Sequence, residues 1–308
     1  MDKKSVLFLF TCMGVIFCFG SVPVFLKYLS QYLDAYTLNS TRYLIGAGIW
    51  FPFIFILKDK IPPGSNPWKD ALLPFVVNIL GQTAWGLCPF YNDASIIGFG
   101  MRSTFFFTLI TGLALIPSER ILVKQKFFWI GSVISIVGVV LLSSSKSFQA
   151  NEITKSINLF GIFLILSAAL FYGMYSVLVH RNMNKYPARL SFAIISLYTS
   201  VGLLIEAILF GDFKTLMNLN GDTWILLILS ALIGISIAHV LLYRVIQKIG
   251  ALTINGIMML VPLVTFVLAY IFLGERLIAL QWFGGGLLII GAFGLIYAKK
   301  CSVEEEVN

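Results

Sequence analysis

Charge is what this 308-residue sequence has least of: 12% of its residues are Asp, Glu, Lys or Arg, against 58% hydrophobic. A soluble domain carries about 25% charged residues, so water is not the main solvent for this chain. Histidine is scarcer still. The two present, His180 and His239, stand far apart, with no His-x-x-His, Ser-His-Asp or paired-carboxylate pattern near either. Nothing in the sequence therefore points to an enzyme, and no catalytic residue, metal ligand or cofactor is assigned. A phosphate-binding Walker loop is missing too, which removes ATP hydrolysis as an energy source. Four cysteines, Cys12, Cys18, Cys88 and Cys301, show neither disulfide nor metal-ligand spacing and read as small hydrophobes.

Long apolar runs are what the sequence has in abundance. A helix needs about 20 apolar residues to cross a hydrocarbon core of roughly 30 Å. Ten stretches qualify, at 5–27, 36–57, 71–90, 94–116, 126–144, 158–179, 190–211, 222–243, 251–272 and 278–298. The first follows Lys3 and Lys4 but is too long for a cleaved signal and has no small-x-small site after it, so it reads as a retained helix. Alternating the connections places fifteen of the 22 Lys and Arg residues on one side. Five, Lys27, Lys146, Lys155, Lys214 and Arg276, fall on the other, and Arg42 and Arg102 lie inside spans. Basic residues favour the cytoplasmic face. The net charge of +8 is thus an orientation signal and not a nucleic-acid surface, and both termini are expected in the cytoplasm.

The two halves of the sequence look alike. Glu119-Arg120 is followed by Trp129-x-Gly131 and Gly138, and Glu275-Arg276 by Trp282-x-Gly284 and Gly291. The Trp-Gly elements are offset by 153 residues and the Glu-Arg pairs by 156; the same offsets align Gly20 with Gly173 and Gly100 with Gly256. Five spans is an odd number, so the second copy must run upside down relative to the first. The expected fold is an all-α membrane protein of ten transmembrane helices, built from inverted repeats at 5–144 and 158–298.

The Phe-Leu-Gly-Glu-Arg-Leu run at 272–277, Pro262 upstream of it and the Gly-rich last span resemble the EamA family of the drug/metabolite transporter superfamily. The resemblance covers essentially the whole chain. It implies ten helices, cytoplasmic termini and a multi-pass carrier in the cytoplasmic (inner) membrane, commonly an exporter of amino acids or other metabolites. Nucleotide-sugar or sugar-phosphate antiport within the same superfamily is the alternative, and a non-transporting receptor or enzyme a further one. The first copy departs from the pattern: Ile116-Pro117-Ser118 replaces Leu-Gly before Glu119, and Phe106 stands where Pro262 sits in the second. The fourth span is therefore expected to lack a kink that the ninth has.

Ionisable residues inside spans are functional candidates, because a charge at the bilayer centre costs at least about 2.5 kcal/mol. Arg102 lies about 4.5 Å from the middle of the fourth span at 1.5 Å per residue, and is the expected contact for an anionic substrate group. Arg42 and Glu206 fall in the outer halves of corresponding spans and are expected to form a structural or gating pair. Asn78, Gln82 and Trp85 follow i, i+4, i+7 on the third span; Ser236, His239 and Tyr243 follow i, i+3, i+7 on the eighth. These faces, with Tyr172, Tyr175, Ser176 and Asn255, are expected to line one cavity, against the alternative that they only bond helices together. Glycines 131, 138, 284, 285, 286 and 291 read as close helix packing, and Glu119 and Glu275 as braces at helix ends. The expected partners are a small-molecule substrate and the lipid bilayer, with no nucleic acid; a coupling proton and a homodimer stay open.

Cysteine labelling or reporter fusions should place residues 58–70, 181–189 and the C-terminal residues in the cytoplasm, and 145–157 outside. Finding 145–157 on the same side as the C-terminal residues breaks the ten-span arrangement and the inversion with it.

Overall fold

The computed structural model describes residues 3–92, 97–98, 100–117, 119–149, 159–273 and 279–307. Among them every regular element is helical. In hydrocarbon each backbone N–H and C=O must be satisfied internally, and a helix does this within one segment. The long rods are α1 (Lys3–Leu29), α2 (Ala35–Trp50), α3 (Pro67–Tyr91), α4 (Met101–Leu115), α5 (Lys126–Gln149), α6 (Leu159–Met183), α7 (Ala188–Phe210), α8 (Gly221–Ile249), α9 (Ala251–Leu273) and α10 (Ala279–Val307). Three of them are internally irregular. α4 opens with a 3-10 turn at Met101–Ser103, α8 contains a π-helical segment at Leu232–Ile237, and α9 is interrupted by a 3-10 turn at Met258–Leu260.

Among the described residues, seven helices are long and apolar enough to cross a membrane, in α1, α3, α6, α7, α8, α9 and α10. The other three of the ten expected crossings are shorter. α4 and the described apolar part of α5 (Lys126–Gly138) fall below the length of a full span. α2 has 16 residues, and its buried Asn39, Ser40, Thr41 and Arg42 dilute its hydropathy; the chain continues beyond Phe51 as a separate Pro52–Ile56 helix.

Helix starts follow from local sequence. Asn66 before Pro67 is an N-cap followed by a proline whose missing N–H needs no partner, and the Asn66 side-chain Oδ1 accepts from Trp68 and Lys69 N–H at 3.1 and 3.2 Å. Asp34 caps α2, accepting from Tyr36 and Thr37 N–H at 2.9 Å each. Its second oxygen accepts from Asp212 N–H at 3.0 Å, tying the start of α2 to the end of α7. At the same end Lys27 Nζ donates to the Pro89 and Asn92 carbonyls, at 3.1 and 3.4 Å, and closes the C-terminus of α3. At the other end of the bundle the start of α3 meets the α6–α7 connection. Lys185 lies 2.9 Å from Asp70, Tyr186 donates its hydroxyl to the same carboxylate at 2.6 Å, and this partner raises the Lys185 ammonium above its ordinary value.

Glu119 works as a brace. Its Oε1 accepts from Ala251 and Leu252 N–H, at 2.7 and 3.1 Å, where α9 begins. His180 Nδ1 stands 3.3 Å from the same oxygen. Gly250, at φ +86, makes the turn from α8 into α9; a side chain there would be strained and would place Cβ 2.9 Å from Glu119. Glu275 lies outside the described residues.

The packing pairs α5 with α10, α3 with α6, α2 with α7, α4 with α6 and α1 with α9. The α5–α10 seam is a glycine contact. A Cβ at Gly131 would lie 2.7 Å from the Gly291 carbonyl oxygen, and one at Gly138 2.8 Å from that of Gly284. Backbones therefore touch with no side chain between them. Gly285 instead faces Leu263, and Gly286 faces open space.

Asp34→Ala should lower stability by about 1–2 kcal/mol, since it removes an N-cap and the tie to Asp212 together. Burial opposes ionisation of Asp34, but bonds from Thr37, Asp212 and Tyr36 outweigh it and hold the carboxyl below its ordinary value. Its stabilisation is thus present above the unfolded-state carboxylate pKa and is lost as pH falls through the lower folded-state value. Thermal unfolding in detergent checks both points: the difference between wild type and Asp34→Ala should be largest at neutral pH and shrink in acid.

Candidate functional site

α4 and α9 meet at Arg102 and Met258, and local chemistry interrupts each helix there. In α9, Pro262 has no N–H to offer the Met258 carbonyl four residues back. Val261 N–H turns to that carbonyl in 3-10 register. Arg102 Nη1, reaching across from α4, donates to it as well.

α4 reaches a similar geometry without proline. Arg102 Nε donates to the Gly98 carbonyl at 3.2 Å, and Ser103 Oγ to that of Gly100 at 2.5 Å. These side chains take carbonyls that the α-helical ladder would use, and Thr104 N–H turns to Met101 instead. The expectation that the fourth span would lack an interruption present in the ninth is corrected: both are broken, one by proline and one by side-chain competition.

A cavity of about 120 Å³ lies against this crossing. Six of the eight residues expected to bind substrate line it: Arg102, Gln82, Trp85, Tyr175, His239 and Asn255. Arg42, Tyr172 and Ser176 line it too. The walls are otherwise apolar, with Phe19 and Phe105 among them. Trp85 and Tyr172 stand edge to face, ring centroids 6.4 Å apart.

Asn78 and Tyr243 are not in the lining and stand behind it. Asn78 donates to Thr199 Oγ1 at 3.0 Å and to the Tyr43 hydroxyl at 3.4 Å, and Gln82 Nε2 donates to that same hydroxyl at 2.6 Å. Tyr43, a residue not singled out from sequence, thereby holds the cavity-facing Gln82. The Tyr243 hydroxyl bonds to that of Tyr175. On the far wall Asn255 Nδ2 donates to Ser176 Oγ at 3.0 Å and to the Ala251 carbonyl at 2.9 Å.

The stripe expected along α8 is broken for a definite reason. Counting at 3.6 residues per turn puts Ser236, His239 and Tyr243 on one face, but the π-helical Leu232–Ile237 adds residues to the turn and changes the phase. Ser236 turns to α2, where its hydroxyl donates to the Gly46 carbonyl at 3.4 Å and its own carbonyl accepts from Trp50 Nε1 at 3.1 Å. His239 remains in the cavity, stacked on Phe192 at 5.4 Å and edge-on to Phe19 at 5.4 Å. Its Nδ1 lies 3.1 Å from the Ile235 carbonyl, so in the neutral ring that nitrogen carries the proton and Nε2 is left to accept.

Arg42 and Glu206 do not pair. Arg42, 2% exposed, donates Nε to Ser230 Oγ at 3.0 Å and Nη2 to the Ser230 carbonyl at 3.3 Å, both on α8. Glu206 instead meets Thr83 Oγ1 on α3, at 2.7 and 2.9 Å from its two oxygens. Each ionisable group finds neutral partners on the helix packed beside it, and the pair expected from matching depth gives way to these nearer contacts. Among the described residues no group of His, Cys, Asp and Glu could hold a metal ion.

Residues 159–297 match the EamA-like transporter family model. An uncharacterized transporter of Haemophilus influenzae is 23% identical over 275 residues, covering 86% of this chain and 89% of its own. The uncharacterized transporter YdfC of Bacillus subtilis is 26% identical over 278 residues, covering 87% of this chain and 84% of its own. A solved crystal structure, 14% identical, superposes with a TM-score of 0.73 over 96% of this chain and 98% of the other, a likeness of fold.

Tyr43→Phe removes the acceptor shared by Asn78 and Gln82 and leaves a buried amide N–H unpaired, which should cost about 1–3 kcal/mol. Unfolding in detergent measures it. A loss no larger than that of an exposed Tyr→Phe control would show that the hydroxyl does not hold Gln82.

Proposed function

We propose that this chain, whose residues 159–297 match the EamA-like transporter family, carries a small anionic or zwitterionic metabolite, an amino acid or a related compound, out of the cell across the cytoplasmic membrane. The observation that carries this reading is the central cavity, where Arg102 spans the crossing of two interrupted helices. Interrupted helices near the bilayer midplane are where secondary transporters place their substrates. A cavity of about 120 Å³ suits a small metabolite better than a nucleotide-sugar.

The mechanism we infer is alternating access between two inverted five-helix repeats, 5–144 and 158–298. Three contacts support the inversion. Gly131 aligns with Gly284 and Gly138 with Gly291, and Gly131 packs on Gly291 while Gly138 packs on Gly284. That reciprocal exchange is what a two-fold relation between antiparallel copies produces. Arg102 aligns with Met258 at the 156-residue offset and bonds to that residue, as a position beside the axis should. Gly20 of α1 packs on Val264 of α9, and its counterpart Gly173 of α6 on Thr108 of α4, which aligns with Val264. Arg102, with Gln82, Trp85 and His239 around the same space, is the residue assigned to the negative group of the substrate.

Transport in proteoliposomes, screened with pooled labelled metabolites with and without a proton gradient, tests the carrier reading. With a substrate in hand, Arg102→Lys should reduce transport and Arg102→Gln abolish it, because a point charge does not reproduce the guanidinium fork. Both variants should insert at near-normal levels. Normal transport by a correctly inserted Arg102→Gln protein removes Arg102 from the site.

A further inference from the structure

The cavity carries two positive charges and, among its lining residues, no negative one. Arg42 and Arg102 both line it, and neither Asp nor Glu does. The carboxylates of half-buried Glu206 and buried Glu119 are committed elsewhere, to Thr83 and to the start of α9. Among the described residues Arg42 bonds only to Ser230, through Nε and Nη2. Arg102, among the described residues, bonds only to the carbonyls of Gly98 and Met258, through Nε and Nη1. A guanidinium has five N–H donors, so each retains unspent donors. Every protein partner of both groups among the described residues is neutral.

An α-amino acid would bring a carboxylate and an ammonium group together. The carboxylate finds charge-assisted donors here. The ammonium finds no carboxylate and two like charges, whose repulsion grows as water is excluded. A net anion without an amine meets the attraction and avoids the repulsion, and it supplies the counter-charge that two guanidinium groups in a membrane bundle otherwise lack. Phe19, Trp85 and Tyr172 offer its carbon skeleton an apolar wall.

Resting on the carrier reading and narrowing its cargo, we propose that the cavity takes a small organic acid as a net anion, a 2-oxo or 2-hydroxy carboxylate, in preference to the corresponding amino acid, with Arg42 as its second cationic contact beside Arg102. Three matched pairs differ only at C2: pyruvate and alanine, 2-oxoisovalerate and valine, phenylpyruvate and phenylalanine. In proteoliposomes at pH 7 at least one oxo acid should enter about tenfold faster than its amino partner, a gap of the size one charge-assisted contact supplies. In chloride-free detergent the same oxo acid should raise the unfolding temperature of the wild-type protein. Arg42→Gln should lose that shift, and Arg42→Lys should keep part of it.

Amino acids entering as fast as their oxo partners, or faster, overturn the inference and leave the carrier reading standing. So does uptake of other pooled metabolites with neither flux nor thermal shift for any of the three oxo acids. An Arg42-dependent shift with no flux of any metabolite supports the anion site and sinks the carrier reading. If Arg42→Gln fails to fold, Arg42→Lys decides the role of Arg42: a shift equal to wild type overturns it, and a reduced one supports it.

Discussion

The bond from Arg102 to the Met258 carbonyl is the contact on which the centre of the bundle depends. Neither partner is tolerable alone in hydrocarbon. Pro262 withdraws the N–H that would have served the carbonyl, and the part-buried guanidinium of α4 brings a charge that needs partners within the bundle. Each supplies what the other lacks. The price is that α4 and α9 must both leave α-helical geometry where they meet, at Met101–Ser103 and Met258–Leu260. The cavity lies against those two turns.

The same economy governs the other ionisable groups in the bundle. Arg42 and Glu206 take hydroxyl and carbonyl partners from the neighbouring helix, α8 for one and α3 for the other. Glu119 takes backbone N–H groups at the start of α9. A hydroxyl or carbonyl at 3 Å needs no matching depth on a distant helix, whereas an ion pair must bring two side chains from different helices to one point. Because the carboxylate of Glu206 does not follow Arg42 into the cavity, the charge of the site is set by two guanidinium groups.

Rigidity and irregularity are kept apart. The α5–α10 seam brings backbones into contact at Gly131, Gly138, Gly284 and Gly291, so few side chains stand between the two helices there. The interrupted turns of α4 and α9 and the π segment of α8 all border the cavity, the last through Gly234 and Ile235. Hydrogen bonds in such segments have alternatives within one residue, which regular α-helix does not offer.

Hydropathy and the repeat spacing determined the all-helical class, the approximate position of each rod, the glycine seam and the main polar residues of the cavity lining. These properties are periodic or local: apolar runs set helices, Asn66-Pro67 sets a helix start, and Gln82 with Trp85 follows from one unbroken helical face. What tertiary structure alone decided is how the interruptions redirect side chains. The π segment shifted the phase of α8 and removed Ser236 from the cavity; Tyr243 passed behind Tyr175. The interruption of α4 was invisible because no proline marks it. The freed Met258 carbonyl was legible in principle, four residues before Pro262, but its partner was not, since sequence ranks depth along a helix and not distance between helices. For that reason Arg42 and Glu206, expected at equal depth, stand on separate contacts, and the lack of a carboxylate among the cavity's lining residues emerged only once the helices were packed.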